Sequence, residues 1–274
     1  MANKLLRLAS AALADHRQVG GNMRKLILTT AIAALWSLSA ITAEIKAAEI
    51  KVLSSNGMRE AVVELAPQFE RSTGHKLSIR YDTAAFLQRD IDRGESFDVA
   101  VMTTSQFDAV AKTGKFDLAT RTLVTLSRIG IAVRKGASKP DIGSVEAFRR
   151  TMLAAKSIAY ATVGTSGVHF MAVCERLGIA GEVKAKGKTL PGGSLGDFVA
   201  KGEAELAIQQ ISELLPVEGI ELVGPFPAEL ALITPYTAAV GANSKEGVAS
   251  KAFIAFLTTP NARAVFKAKG LDPG

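Results

Sequence analysis

The chain has 274 residues, of which 48% are hydrophobic, and a formal net charge of +7 at pH 7. Residues 1–43 hold five Lys or Arg and a single Asp, so the remaining 231 residues carry a net charge of only +3. A net charge this small does not indicate binding to a polyanion, so we predict no nucleic-acid partner. The single cysteine, Cys174, excludes an internal disulfide and is expected to be a buried small hydrophobe.

The N-terminal segment has the pattern of an export signal. Met23 is followed by two bases, by an apolar run over residues 26–38 and by small residues up to Ala43. The run is shorter than the roughly 20 apolar residues that a membrane-spanning helix needs. We predict a signal peptide over residues 23–43, cleaved after Ala43 or four to five residues later, and a soluble periplasmic protein. Residues 1–22 are interpreted as an upstream segment from a start codon placed too early.

Apolar residues in the rest of the chain alternate between the two-residue repeat of strands and the 3.6-residue repeat of helices. Short strands that alternate with helices indicate parallel βαβ units, so the predicted fold class is α/β. An extended run at 123–133 and a Pro-containing stretch at 224–227 are candidate crossovers between two lobes. Strands are predicted at 50–54, 76–81, 97–102, 157–160 and 206–210, and helices at 57–73, 85–93, 105–114, 145–155, 167–177, 195–201 and 260–269.

Three predicted loops follow a strand, precede a helix and are rich in small polar residues. Unpaired N–H groups and a partial positive charge at a helix N-terminus suit an anion. Ligands of open α/β sheets bind beyond the carboxyl ends of the strands. Ordinary N-capping would explain any one loop, but three together favour a shared ligand cleft. The loops are Ser54-Ser55-Asn56-Gly57, Thr83-Ala84-Ala85 and Gly164-Thr165-Ser166-Gly167.

Two adjacent amides, Gln209 and Gln210, end a predicted strand, where neighbouring side chains point to opposite faces. One is therefore expected to face the cleft and the other the protein, and the sequence leaves open which one.

Enzyme signatures are few. The residues after position 43 contain no nucleophile elbow, no phosphate loop and no metal-ligand spacing, so neither a metal nor a cofactor is predicted. If the protein is an enzyme, the candidate bases are His169, Asp82 and Glu213, each near a candidate loop. The other histidine of this part, His75, falls in a predicted turn and is expected to be solvated.

From Ile50 to Gly274 the order of elements resembles the type II periplasmic binding proteins, especially their molybdate-binding branch. The motifs that carry the resemblance are IKVLSS at 50–55, FERSTG at 69–74, FDVAVM at 97–102, GEAELAI at 202–208 and AFIAFL at 252–257 before Pro260. The resemblance implies two α/β lobes with the ligand cleft between them. One lobe would hold residues 44–128 and 228–274, and the other residues 129–227. It also implies a monomer that presents a small anion to an ABC permease in the inner membrane.

The ligand pattern of the molybdate branch is only partly kept. The resemblance places that family's first-loop serine at Gly57, its second-loop serine at Ala84 or Ala85 and its late tyrosine at Gln210. Only the third loop, at Ser166-Gly167, stays close to the pattern, so other hydroxyls and amides would have to replace the lost donors.

Other segments resemble the periplasmic aconitate isomerases: VLSS at 52–55, SGV at 166–168 and QQISEL at 209–214. This resemblance implies proton transfer across an allylic system, which needs one base with a pKa near neutrality and donors for carboxylates.

We therefore expect first a periplasmic substrate-binding protein of an ABC importer that binds a molybdate-like oxyanion or a small carboxylate. The alternative is a cofactor-independent aconitate isomerase on the same fold, in which the choice of base stays open. In either case the candidate ligand-binding residues are Ser54, Ser55, Asn56, Gly57, Thr83, Ala84, Ser166, Gly167, Gln209 and Gln210.

Overall fold

The structure of the protein, a computed structural model, describes residues 47–274. The upstream segment and the signal peptide predicted above lie outside the described residues. The strands are β1 (Glu49–Ser55), β2 (Lys76–Asp82), β3 (Val99–Thr103), β4 (Phe116–Arg134), β5 (Ile158–Ala161), β6 (Gly187–Leu190), β7 (Leu206–Gln210), β8 (Ile220–Pro225), β9 (Ile233–Gly241) and β10 (Asp272–Pro273). The α-helices are α1 (Arg59–Thr73), α2 (Ala84–Asp92), α3 (Thr104–Ala111), α4 (Val145–Ala154), α5 (Thr165–Arg176), α6 (Ala180–Ala185), α7 (Gly196–Ala200), α8 (Ile211–Leu214), α9 (Gly247–Leu257) and α10 (Pro260–Ala268), and a 3-10 turn spans Asn56–Met58.

Helix ends follow the local chemistry of the sequence. Helix α1 ends at Gly74, which has a φ of 76° and donates its N–H to the carbonyl of Glu70. A positive φ is accessible to glycine at no steric cost, so the glycine ends the helix. Helix α10 begins with Pro260 after Thr259, whose hydroxyl accepts the N–H of Ala262. Both ends agree with the sequence-based prediction.

The strands form one sheet in the order β2-β1-β3-β9-β4-β7-β5-β6, with β8 and β10 also paired to β4. Strands β1, β2 and β3 are mutually parallel, as are β5, β6 and β7, whereas β9 and β4 run antiparallel to their neighbours. The 19-residue strand β4 changes partners along its length. Residues up to Arg128 pair with β9, and residues from Ile129 pair with β7 and β8.

This change of partner divides the sheet in two. We call β1–β3, β9, β10 and the paired part of β4 the first lobe, and β5–β8 with the rest of β4 the second lobe. In each lobe, helices pack on the faces of the sheet, and the side chains between them form a separate apolar core. Phe69, Phe253 and Phe266 anchor the first, and Phe148 and Phe170 anchor the second. The two-lobed α/β fold is confirmed, while the predicted lobe boundaries at residues 128 and 227 stay predictions.

Two single-residue expectations have different outcomes. Cys174 is fully buried in the second core, as predicted, and burial raises the pKa of its thiol to about 12. His75, however, is buried and not solvated, because its ring accepts the N–H of Ala48 and lies beside Phe69. The predicted turn is present between α1 and β2, but it folds back against the first core.

Candidate functional site

A cavity of about 50 Å³ lies where the strand ends of the two lobes face each other. Residues from both lobes form its walls, because the loops after β1, β2 and β3 meet those after β5, β6 and β7. The lining residues are Ser55, Asn56, Gly57, Thr83, Ala84, Ala85, Thr103, Gln106, Ala161, Val163, Gly164, Thr165, Ser166, Gly192, Gly193, Gln209, Gln210, Glu213 and Tyr236.

The three loops singled out in the sequence all reach this cavity. Eight of the ten predicted ligand-binding residues line it: Ser55, Asn56, Gly57, Thr83, Ala84, Ser166, Gln209 and Gln210. The other two do not. Ser54 is fully buried behind the wall. Gly167 packs under the loop, where a Cβ would overlap the carbonyl oxygen of Ala161, so its role there is close packing of α5 on β5.

Three helix N-termini, each with a partial positive charge, point at this cavity. The N-cap residues of α2, α3 and α5 are Thr83, Thr103 and Gly164, and none of them accepts a first-turn N–H through a side chain. These backbone donors are therefore available to an anion. Among residues 47–274, no Lys, Arg or His lines the cavity. The site would hold an anion through neutral donors and helix dipoles.

Several buried side-chain atoms at the site have no hydrogen-bond partner within the described residues. They include the hydroxyl oxygen of Ser55 and the amide oxygen of Gln210 in the cavity wall, and the hydroxyl oxygen of Ser212 in the wall of an adjoining groove. Each of these residues is at most 3% exposed. A buried polar atom without a partner costs about 1–3 kcal/mol, so such atoms in a cavity wall mark places where a ligand would bond.

The two glutamines differ in what they bond. Gln209 is fully occupied: its amide oxygen accepts the N–H of Leu195, and its amide nitrogen donates to the carbonyl of Gly193. The same nitrogen donates to Glu213 Oε1 at 3.0 Å. Within residues 47–274, Gln210 donates only to the hydroxyl of Thr234. Both line the cavity, because Gln210 lies at the turn from β7 into α8 and no longer alternates with Gln209.

Glu213 is the one candidate base that reaches the cavity. Protein atoms surround its carboxyl between the lobes, although part of the side chain opens to the cleft. Burial raises the pKa of Glu213 to about 7, against the opposing effects of the Gln209 hydrogen bond and the charge of Arg59. A carboxyl with such a pKa can both take up and release a proton near neutral pH.

The other two candidate bases point elsewhere. His169 donates from Nε2 to the carbonyl of Leu230 at 2.8 Å and lies beside Phe226 in the second core. Asp82 accepts the N–H of Thr83 and lies 3.8 Å from Arg80. Neither lines the cavity.

Sequence reasoning missed Tyr236, Thr103 and Gln106, which also line the cavity. Thr103 follows a predicted strand directly before a helix, as the recognised loops do, so the same signal was present there. Tyr236 had no such signal, because β9 was not predicted as a strand.

A wider groove of about 570 Å³ adjoins the cavity and shares Asn56, Gly193, Gln209 and Glu213 with it. It is the more charged of the two, since Arg59, Glu60, Asp197 and Glu218 line it. Glu213 therefore lies where the inner cavity, whose other lining residues are neutral, meets the charged groove.

Residues 50–272 match the family model described as bacterial extracellular solute-binding protein. The chain belongs to this family. Within it, the chain is 34% identical over 230 residues to an aconitate isomerase of Pseudomonas sp, covering 82% of this chain and 87% of that protein. It is 25% identical over 233 residues to a molybdate-binding protein of Azotobacter vinelandii, covering 82% of this chain and 90% of that one.

The fold of this family member is also that of solved structures. The periplasmic molybdate-binding protein of Azotobacter vinelandii superposes with a TM-score of 0.69 at 17% identity, over 82% of this chain and 99% of that one. Within residues 47–274, no helix has the length and apolarity to cross a membrane. In the same range, no three His, Cys, Asp or Glu side chains are grouped so as to hold a metal ion.

Proposed function

We propose that this solute-binding family member is a cofactor-independent isomerase that moves a proton within a small unsaturated polycarboxylate, with aconitate as its substrate. The observation that carries the proposal is Glu213, a carboxyl with a pKa of about 7 in a cavity otherwise lined by neutral donors. The 34% identity to an aconitate isomerase supports the same reading. The sequence alone favoured a receptor, and the position of Glu213 in the cavity supports the isomerase instead.

The proposed reaction needs one base. The Glu213 carboxylate takes a proton from the methylene carbon of aconitate, so a C–H bond breaks and an O–H bond forms. The released electron pair spreads over the three-carbon system and its carboxylates, and the double bond shifts by one carbon. Protonated Glu213 then returns the proton to the far carbon. The product is again aconitate, and its geometry depends on how the carboxylates are held.

The free donors would hold those carboxylates. First-turn N–H groups of α2, α3 and α5 and the unpaired hydroxyl of Ser55 surround the cavity. Fixed donors in a site that excludes water stabilise developing negative charge more than water does. Because the inner cavity measures only about 50 Å³, part of the substrate would extend into the adjoining groove.

A second candidate function is the receptor expected from the sequence: a periplasmic, monomeric protein that delivers a small anion to an ABC permease. The family description and the cavity between two lobes favour it. A receptor for an inorganic oxyanion gives the Glu213 carboxyl no chemical role, whereas the isomerase uses it as the base.

The test is turnover. Residues 44–274, the predicted mature chain, are incubated with trans-aconitate in D₂O, and proton NMR follows loss of the methylene signal and appearance of the cis isomer. We expect conversion by the unsubstituted protein, a loss of at least about 1000-fold in Glu213→Gln, and near-normal conversion in the matched control Glu203→Gln. Glu203 is an exposed carboxylate that lines neither the cavity nor the adjoining groove.

The alternative outcome is equally clear. Absence of conversion, together with thermal stabilisation by molybdate, tungstate or sulfate, would replace the isomerase with the receptor.

A further inference from the structure

Tyr236 is a buried phenol whose hydroxyl opens on the cavity. Its side chain is 2% exposed, and it lies on β9 opposite Thr103 of β3 and Thr125 of β4. The residue lines the cavity together with Gly57, and a Cβ on Gly57 would overlap its hydroxyl, so the hydroxyl lies at the cavity wall. A phenol buried this deeply normally bonds a partner. At the wall of the cavity, a bound ligand would supply such a partner.

Gly57 leaves room for the phenol of Tyr236. A Cβ at position 57 would overlap the Tyr236 hydroxyl and lie 2.9 Å from its ring carbon Cζ. Gly57 is itself buried, and its φ is negative, so no backbone requirement calls for glycine there. The absent side chain leaves the space that the phenol uses to reach the cavity wall.

We propose that Tyr236 is a catalytic residue whose hydroxyl donates a hydrogen bond to the carboxylate oxygen that gains negative charge when Glu213 removes the allylic proton. This inference rests on the isomerase proposed above. Tyr236 keeps its own proton throughout: it donates a hydrogen bond and transfers nothing, so the proton balance remains that of Glu213 alone.

Two features fit this role. Burial, with the nearby Glu213 charge as the second cause, raises the pKa of Tyr236 above that of a free phenol, so the hydroxyl stays protonated whenever Glu213 is ionised. The two groups also come from different lobes, since Glu213 follows β7 and Tyr236 lies on β9. Both groups line the same cavity, so the base and the donor would meet one bound substrate.

The variant Tyr236→Phe tests the role, because it removes the hydroxyl and keeps the ring. We expect kcat to fall about 100-fold and KM to rise less than about fivefold, since the bond would strengthen in the transition state. Tyr160→Phe is the matched control, because Tyr160 is 5% exposed but packs on Phe170 in the second core. The control should keep kcat within about twofold.

Gly57→Ala provides a second variant, since its methyl group would push the phenol from the wall, and a comparable fall in kcat is expected. A kcat within about threefold of the unsubstituted protein in Tyr236→Phe would overturn the inference.

A binding measurement separates this inference from the isomerase itself. Propane-1,2,3-tricarboxylate is saturated and cannot react, so calorimetry with it reports contacts alone. If the unsubstituted protein binds it without isomerising aconitate, and Tyr236→Phe weakens binding about tenfold, the donor contact stands and the isomerase falls. If the affinity is equal in both proteins, or absent in both, in a chain without isomerase activity, the Tyr236 inference falls as well.

Discussion

Helices that begin at the cavity and helices that begin elsewhere use the same N-cap residues differently. Thr259, before α10, and Thr83, before α2, share an extended backbone, with φ and ψ of −67° and 156° for Thr259 and −63° and 135° for Thr83. The Thr259 hydroxyl accepts the N–H of Ala262, whereas the Thr83 hydroxyl accepts none from its helix. Ser144 caps α4 as Thr259 caps α10.

The difference lies in what surrounds each hydroxyl. Thr83 reaches across the cleft to the second lobe, where a Cβ on Gly192 would overlap its hydroxyl. Thr103 bonds the side chain of Gln106 and leaves its helix uncapped. Away from the cavity a Thr or Ser stabilises its own helix, and at the cavity it leaves the first-turn donors to a ligand. A capping residue in a sequence therefore marks a helix start without saying which of these roles it has.

The largest expected contrast in stability is between two helix glycines. Gly167→Ala, in α5 at the cavity, should lower the free energy of unfolding by about 3 kcal/mol, because its Cβ would overlap the Ala161 carbonyl. Gly181→Ala, in α6, meets nothing within 4 Å and should raise it by about 0.5–1 kcal/mol. Urea denaturation measures both. Equal effects would show that the close packing under the third loop is relaxed in solution.

Glu213→Gln should stabilise the fold while removing turnover. The folded-state pKa of Glu213, about 7, lies above the ordinary 4.5, so the folded chain binds more protons than the unfolded chain between those values. Stability is therefore lost as pH rises through that window. Neutral glutamine should add on the order of 2 kcal/mol at pH 8 and little at pH 4. Denaturation at both pH values checks this, and an equal gain at pH 4 would contradict it.

Gln209→Leu should move the pH dependence of catalysis. The base must be ionised, so kcat/KM should rise with pH around a midpoint of about 7. Burial raises the pKa of Glu213, whereas the Gln209 hydrogen bond and the charge of Arg59 lower it. Losing the Gln209 bond should shift the midpoint upward by about 0.5–1 unit. Gln210→Leu, which removes a bond to Thr234 only, should leave the midpoint in place.

The smallest contrast tests the two threonines directly. Thr259→Ala should lower the free energy of unfolding by about 1 kcal/mol, because α10 loses its cap. Thr83→Ala should lower it by less than about 0.5 kcal/mol but raise the KM for trans-aconitate about threefold, since its hydroxyl serves the cavity. Thermal unfolding and steady-state kinetics separate the two effects. A stability loss for Thr83→Ala equal to that of Thr259→Ala would remove the distinction.

Local sequence patterns predicted most of the strands and helices and part of the candidate site. Strand and helix periodicity, together with glycines such as Gly74, located most elements, and the loops after parallel strands converged as sheet geometry requires. Such patterns did not show which of the three candidate bases faces the cavity. His169 and Ser166 share one helix, and only the packing of α5 shows that His169 turns toward Leu230 while Ser166 lines the cavity.

Tyr236 shows a second limit of local reasoning. The segment ITPYTAAVG of β9 contains a proline and has no strict alternation, so it did not read as a strand. Its partner Gly57 is 179 positions earlier in the chain. A glycine explained by a distant phenol, and not by its own turn, has no signature in either segment alone.

Strand β4 belongs to both lobes, because one continuous stretch of backbone pairs first with β9 and then with β7 and β8. Neither lobe is consequently a transferable module. A gene fragment encoding one alone would leave half of β4 as an open edge, ready to associate with other chains. Recombination among relatives should therefore preserve this strand together with both sets of neighbours, and new specificities would arise by changing loops at the cleft.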